Sequence, residues 1–201
     1  LSFCQGLQTS LNAGTGFASY QWSNNASTPS ITENAGGAYA VTVTDANGCV
    51  TNAGVTVVEF PVTPPQISGA TAFCAGDNVV LDAGNGYASY TWSNNATGQT
   101  ATITQGGFYS VTATDINGCV SNGGMQVTQN PLPNVSIGGS ASFCIGGFTT
   151  LNAGAGFSQY LWSDGSTSPA VQVSQPGSIS VTVTDINGCI ASDDINITQD
   201  T

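Results

Sequence analysis

The sequence predicts an all-β chain of three tandem β-sandwich domains, and three observations carry that prediction. One unit occurs three times, its apolar residues alternate with a period of two, and no stretch of any length shows helical periodicity. The repeat is plainest in the cysteines. Cys4, Cys74 and Cys144 recur every 70 residues (74 − 4, 144 − 74), and Cys49, Cys119 and Cys189 keep the same spacing. Around them Phe3, Phe73 and Phe143 precede the first cysteines, and Leu11, Leu81 and Leu151 follow. An Ala-Gly-x-Gly segment at 13–16, 83–86 and 153–156 leads into Tyr-x-Trp-Ser at 20–23, 90–93 and 160–163. Each unit closes on Thr-Asp-x-Asn-Gly-Cys at 44–49, 114–119 and 184–189. Dense proline clusters fall only at 61–65 and 131–133, where stiff spacers are expected. The predicted domains are therefore 1–60, 61–130 and 131–201.

Taken in chain order, the elements of a unit are short strands. Tyr20 and Trp22 are two residues apart and so share one side of a strand, which the size of Trp makes the inner one. Ile31, and Ala101 with Ile103, mark the next strand. Tyr39, Val41 and Val43 then oppose Ala40, Thr42 and Thr44, as Tyr109, Val111 and Ala113 oppose Ser110, Thr112 and Thr114. Asn47-Gly48 signals a tight hairpin with both residues at positive φ, and Val55 with Val57 continues beyond it. Six or seven strands in about 70 residues, with a core Trp, read as a small sandwich. Units 2 and 3 carry a candidate first strand after their prolines (66–69 and 134–138). Unit 1 begins three residues before Cys4, so its first strand is expected to be missing or supplied by a neighbour.

Composition narrows the chemistry. The 201 residues include no Lys, Arg or His against 11 Asp and Glu, giving a net charge of −11, and only 5% are charged. Without cations the chain cannot neutralise phosphates or anionic headgroups, so nucleic-acid partners and polybasic membrane attachment are excluded. Ser or Cys nucleophiles have no His or Lys to activate them. Carboxylate-pair catalysis needs two acids on one bond, whereas Asp193 and Asp194, adjacent on a strand, point to opposite faces. No enzyme is expected. At 40% hydrophobic residues the chain should fold, and no apolar run reaches the roughly 20 residues of a membrane span. The absence of an initiator Met and of a basic leader reads as a mature or excised piece.

Six cysteines allow 15 pairings. Pairing within units uses all six thiols, so Cys4–Cys49, Cys74–Cys119 and Cys144–Cys189 are expected, each stabilising a small core by about 4 kcal/mol. Disulfides imply an extracellular or cell-surface protein.

The run Tyr-x-Trp-Ser, then Gly-x-Tyr-x-Val-Thr-Val-Thr-Asp-x-Asn-Gly-Cys, resembles the immunoglobulin-like, PKD-like repeats of Bacteroidota surface proteins, and is especially similar to the SprB-type repeat of gliding-motility adhesins. That resemblance implies immunoglobulin-like sandwiches in long arrays, with roles in adhesion, gliding or scaffolding. Unit 3 departs from it, with Ile179 in place of Tyr39 and Tyr109, and Asp164-Gly165 in place of Asn-Asn.

Candidate sites follow. Asp45, Asp115 and Asp185, with Asp193 and Asp194, are possible calcium ligands. Against this, an Asp at that turn position caps the hairpin by accepting backbone N–H bonds, and a calcium shell needs six to eight oxygens. Asp77 and Asp82 form a weaker acid pair. Phe17, Tyr87 and Phe157, in Gly-rich segments, are the candidates for stacking on sugars, whereas the Trp residues read as core. Four N-x-S/T sequences, beginning at Asn25, Asn95, Asn134 and Asn196, read as turns and strands. The expectation is a non-catalytic structural segment of a bacterial surface adhesin, stalk or filament. Its partners would be other copies or neighbouring repeats, and no cofactor other than calcium is considered. The alternative is a glycan-binding or calcium-dependent adhesive module.

Overall fold

A computed structural model describes residues 1–201 and contains strands, turns and no helix. Repeat 1 comprises β1 (Ser2–Cys4), β2 (Thr9–Asn12), β3 (Ser19–Trp22), β4 (Ser30–Glu33), β5 (Gly37–Thr44) and β6 (Val50–Phe60). Repeat 2 comprises β7 (Ala72–Cys74), β8 (Val79–Asp82), β9 (Ser89–Trp92), β10 (Thr100–Ile103), β11 (Gly107–Thr114) and β12 (Val120–Asn130). Repeat 3 comprises β13 (Ser142–Cys144), β14 (Thr149–Asn152), β15 (Gln159–Trp162), β16 (Ala170–Val173), β17 (Gly177–Thr184) and β18 (Ile190–Asp200).

Each repeat forms a four-stranded sheet, β1-β6-β5-β3 and its equivalents, and a two-stranded sheet, β2-β4 and its equivalents. The first strand of the larger sheet runs parallel to the last, with Cys4 opposite Phe60, and the other pairs are antiparallel. These are three immunoglobulin-like sandwiches, as the strand count and Trp position predict. By its contacts the chain divides into two compact units. One holds 1–67, 83–99 and 110–124; the other holds 68–82, 100–109 and 125–201.

Alternation sets the cores. In repeat 1 Phe3, Leu11, Trp22, Ile31, Val41, Val43 and Val57 pack together, each on the inner face of its strand. Repeat 3 packs Phe143, Leu151, Tyr160, Trp162, Val171, Val181, Val183 and Ile197, with Val135 and Ile137 of the preceding segment against them. Trp22, Trp92 and Trp162 are buried, and their indole N–H groups donate to Thr28, Gly98 and Ser168 carbonyls at 2.8, 2.9 and 2.9 Å. A buried indole so satisfied is a core residue. The Tyr of the same motif ties back to the Gly-rich segment: Tyr20, Tyr90 and Tyr160 hydroxyls donate to Gly14, Gly84 and Gly154 carbonyls.

The turn after each Trp needs a left-handed residue. Asn25 (φ 69°), Asn95 (φ 67°) and Gly165 (φ 87°) supply it, so the Asp164-Gly165 departure preserves the conformation. The hairpin differs from expectation: Gly48, Gly118 and Gly188 have positive φ, but the preceding Asn residues do not. The Asp side chain explains why a wider loop wins. Asp45 Oδ1 accepts the Asn47 and Cys49 N–H groups at 2.8 and 2.9 Å, and Asp45 N–H donates to the Cys49 carbonyl at 3.0 Å.

The segments after the prolines bridge to the smaller sheets: Ser68 exchanges backbone bonds with Asp82, and Gly138 with Asn152. In repeat 1 the place lined by Leu11, Ala13, Trp22, Tyr39, Val41 and Val55 is an open groove of about 330 Å³. Its four-stranded sheet is nevertheless complete, since β1 pairs with β6.

Candidate functional site

The disulfides join consecutive repeats. Cys4 bonds Cys119 and Cys74 bonds Cys189, each with a Cα–Cα distance of 5.5 Å and a sequence separation of 115. Cys49 and Cys144 are free and exposed. The expected pairs Cys4–Cys49, Cys74–Cys119 and Cys144–Cys189 are therefore wrong, for a geometric reason visible in repeats 1 and 3. Cys4 lies opposite Phe60, at one end of β6, whereas Cys49 immediately precedes Val50, at the other end. Eleven residue steps (60 − 49) put them roughly 36 Å apart, and a disulfide needs Cα atoms within about 7 Å. In repeat 3, Cys144 opposite Asp200 and Cys189 before Ile190 are separated in the same way.

Each half of a staple sits on a built turn. The second cysteine is presented by the Asp-x-Asn-Gly loop: Asp115 Oδ1 accepts Asn117 and Cys119 N–H groups at 2.8 Å each, and Asp185 Oδ1 accepts Asn187 and Cys189 N–H groups likewise. The Cys119 N–H bond, foremost, and the bonds from Asn117 and Gly118 hold the Asp115 carboxyl below its ordinary value against an opposing desolvation effect. The first cysteine ends a strand and begins a turn, its carbonyl accepting from Leu7, Asp77 or Gly147 N–H at 3.0, 3.0 and 2.9 Å.

Around Cys4–Cys119 the linker is pinned as well. The Thr63 carbonyl accepts from the Tyr87 hydroxyl at 2.7 Å and from the buried Ser121 hydroxyl at 3.0 Å. Pro65 lies so close to Gly123 that a Cβ there would meet the Pro65 carbonyl at 2.6 Å. The Val62 N–H donates to Gln5 Oε1 at 3.4 Å. Near Cys74–Cys189, a cleft of about 410 Å³ is lined by Ala75, Leu132 and Ile190 among others. Past Leu132, the Ile137 N–H donates to Asp193 Oδ2 at 2.7 Å.

This geometry places the remaining candidates. Asp45, Asp115 and Asp185 each close their own hairpin, Asp193 holds the incoming segment, and exposed Asp194 is its strand neighbour; no group of three acids or thiols gathers as a metal site. Phe17, Tyr87 and Phe157 are half-buried and meet Tyr20, Tyr90 and Tyr160 edge-on, with ring centroids 5.9, 5.7 and 5.7 Å apart. Phe17 and Phe157 pack on their cores, and the Tyr87 hydroxyl is committed to Thr63. Gln5, Thr63 and Ser121 escaped the sequence reading. The hydroxyl that Tyr87 adds where its equivalents are Phe was the available signal.

No protein-family model and no curated protein matches the chain. Among solved structures, the chain is similar to the eight N-terminal Ig domains of the Down Syndrome Cell Adhesion Molecule (DSCAM), with 14% identity and a TM-score of 0.47 over 99% of this chain and 35% of that one. It thus spans about a third of that fragment. A Ca²⁺-stabilized adhesin by which an Antarctic bacterium binds ice gives 14% identity and a TM-score of 0.40, covering 100% of this chain and 71% of that one. The Bacteroides ovatus mixed-linkage glucan protein SGBP-B gives 13% and 0.26, covering 98% and 65%.

Proposed function

We propose that this chain is a non-catalytic structural segment of an extracellular bacterial adhesin, stalk or filament, in which three domains, bounded near residues 61 and 131, act as links of a covalently stapled array. The observation that carries the reading is the disulfide from repeat 1 to repeat 2, reproduced from repeat 2 to repeat 3. A proline linker alone leaves a hinge. A second covalent tie in parallel with it removes most of that freedom and shields the linker from tension. Disulfides of this kind persist in an oxidising, extracellular setting. The resemblance of the closing hexapeptide to Bacteroidota surface repeats supports the same placement.

Small-angle scattering of the oxidised and reduced chain tests the reading, with circular dichroism confirming that the sandwiches survive reduction. Oxidised chain is expected to show a narrow distribution of sizes that broadens on reduction. An unchanged distribution would contradict a stapling role. In the alternative, a glycan-binding or calcium-dependent module, the chain would bind polysaccharide or calcium whatever its redox state.

A further inference from the structure

We propose that the two staples interlock to give this chain redundant covalent continuity: its backbone can be cut in either proline linker, or within repeat 2, without parting the molecule, and the linkers carry no tension. The inference rests on the structural-segment reading and names what the staples do for it under load and under proteolysis.

Cys74 lies inside the loop closed by Cys4–Cys119, and Cys119 lies inside the loop closed by Cys74–Cys189. Three stretches of backbone therefore run in parallel between the staples. They span 70 residue steps from Cys4 to Cys74 (74 − 4), 45 from Cys74 to Cys119 (119 − 74) and 70 from Cys119 to Cys189 (189 − 119). Any two can be broken while the third still joins Leu1 to Thr201. Pairing within repeats would instead leave 49–74 and 119–144 as single connections, each severed by one cut.

Tension divides unequally among these stretches. Phe60 lies opposite Cys4, and Asn130 lies opposite Cys74. The first linker thus leads from one staple to the other in 14 residue steps (74 − 60), whereas β12 leads from Cys119 to Asn130 in 11 (130 − 119). Three extra residues are slack of roughly 10 Å. Load therefore passes along β12, whose hydrogen bonds to β11 lie across the pull and resist it together. The second linker leaves from Asn130, opposite Cys74, and its stretch returns to the same staple at Cys189, so it forms a closed loop outside the path.

Trypsin reads this cleanly, since the chain holds no Lys or Arg. Gln66→Lys, Gln105→Lys and Asn134→Lys, all at exposed positions, place one site in each stretch. Each cut adds one water across a peptide bond and leaves the disulfide sulfurs untouched. After thiol blocking and trypsin, every single and double variant is expected to run as one piece on a denaturing gel without reductant, and to fragment only on reduction. The triple variant should part without reductant into two halves, 1–66 with 106–134 and 67–105 with 135–201. Release of a fragment by one cut, at Gln66→Lys or at Asn134→Lys, would overturn the proposal.

Optical tweezers holding the termini read the load. Chain cut in either linker should yield at the same force as uncut chain and stretch to the same limit between staples, 45 residues or about 160 Å. The Gln105→Lys cut should raise that limit to 70 residues, about 250 Å. A lower yield force after a linker cut would show the linkers to be loaded and overturn the proposal. Scattering of the intact chain reads the structural role by itself, so the two readings fail separately.

Discussion

Removing one staple should cost repeat 1 most of its stability, whereas removing the free thiol in the same repeat should cost almost nothing. In Cys4→Ser/Cys119→Ser, the lost constraint can be sized from the topology. When repeat 1 unfolds beside a folded repeat 2, the loop closed by Cys4–Cys119 runs from Cys4 to the linker, roughly 57 residues. Loop-closure entropy makes that worth about 4 kcal/mol. On a 60-residue sandwich this lowers the melting temperature by roughly 15–30 °C. Cys49→Ser removes an exposed, unbonded thiol, and the expected change is within about 0.5 kcal/mol. Thermal and urea unfolding, followed by tryptophan fluorescence with one Trp per repeat, reads both variants. Equal losses in the two would mean that Cys49 is bonded to Cys4 and would refute the stapled topology.

Three further outcomes follow from the packing. Trp92→Ala should destabilise by about 3–5 kcal/mol, since it empties a fully buried site and orphans the Gly98 carbonyl, measured by denaturant midpoint at unchanged slope; a loss under about 1 kcal/mol would place the indole at the surface. Gly69→Ala combines φ +138° with a Cβ 2.6 Å from the Val80 carbonyl, so it should cost more than Gly76→Ala, which has positive φ but open space around it. Backbone strain alone accounts for about 1–3 kcal/mol, and equal costs would argue against the close crossing. For Asp115 the folded carboxyl is held below its ordinary value, so in acid the unfolded chain binds the proton first and stability rises with pH. The stabilisation is complete above the ordinary carboxylate value of about 3.9 and is lost as pH falls below it. The melting-temperature gap between wild type and Asp115→Ala should therefore be constant at neutral pH and close in acid; a gap independent of pH would contradict the assignment.

The strands were legible because their signal is local. Alternation at Tyr39, Val41 and Val43 fixes which face is buried, and the indole of Trp22 fixes the centre of the sandwich. The hairpin was legible in place but not in form. Asn47-Gly48 suggested two left-handed residues, whereas the Asp45 carboxylate, by accepting two backbone N–H groups, stabilises a wider loop with only Gly48 left-handed. The pairing of the cysteines was not legible, because a separation of 45 residues (49 − 4) carries no information about which end of a strand each occupies. That depends on β1 running parallel to β6, a tertiary choice that puts Cys4 beside Phe60 and far from Cys49. Assigning a partner to every thiol then favoured the within-repeat pattern, although a pattern shifted by one repeat respects the period equally well.

Glu33 and Glu59 are the only glutamates in the chain, so a glutamate-specific protease applied after thiol blocking and denaturation, without reduction, tests the stapled array most directly. The cuts yield 1–33, 34–59 and 60–201. Bonding of Cys4 to Cys119 predicts that 1–33 stays attached to 60–201 while 34–59 leaves alone, carrying one blocked thiol at Cys49. Recovery of 1–33 attached to 34–59, free of 60–201, would show the disulfides to lie within repeats and would contradict the account.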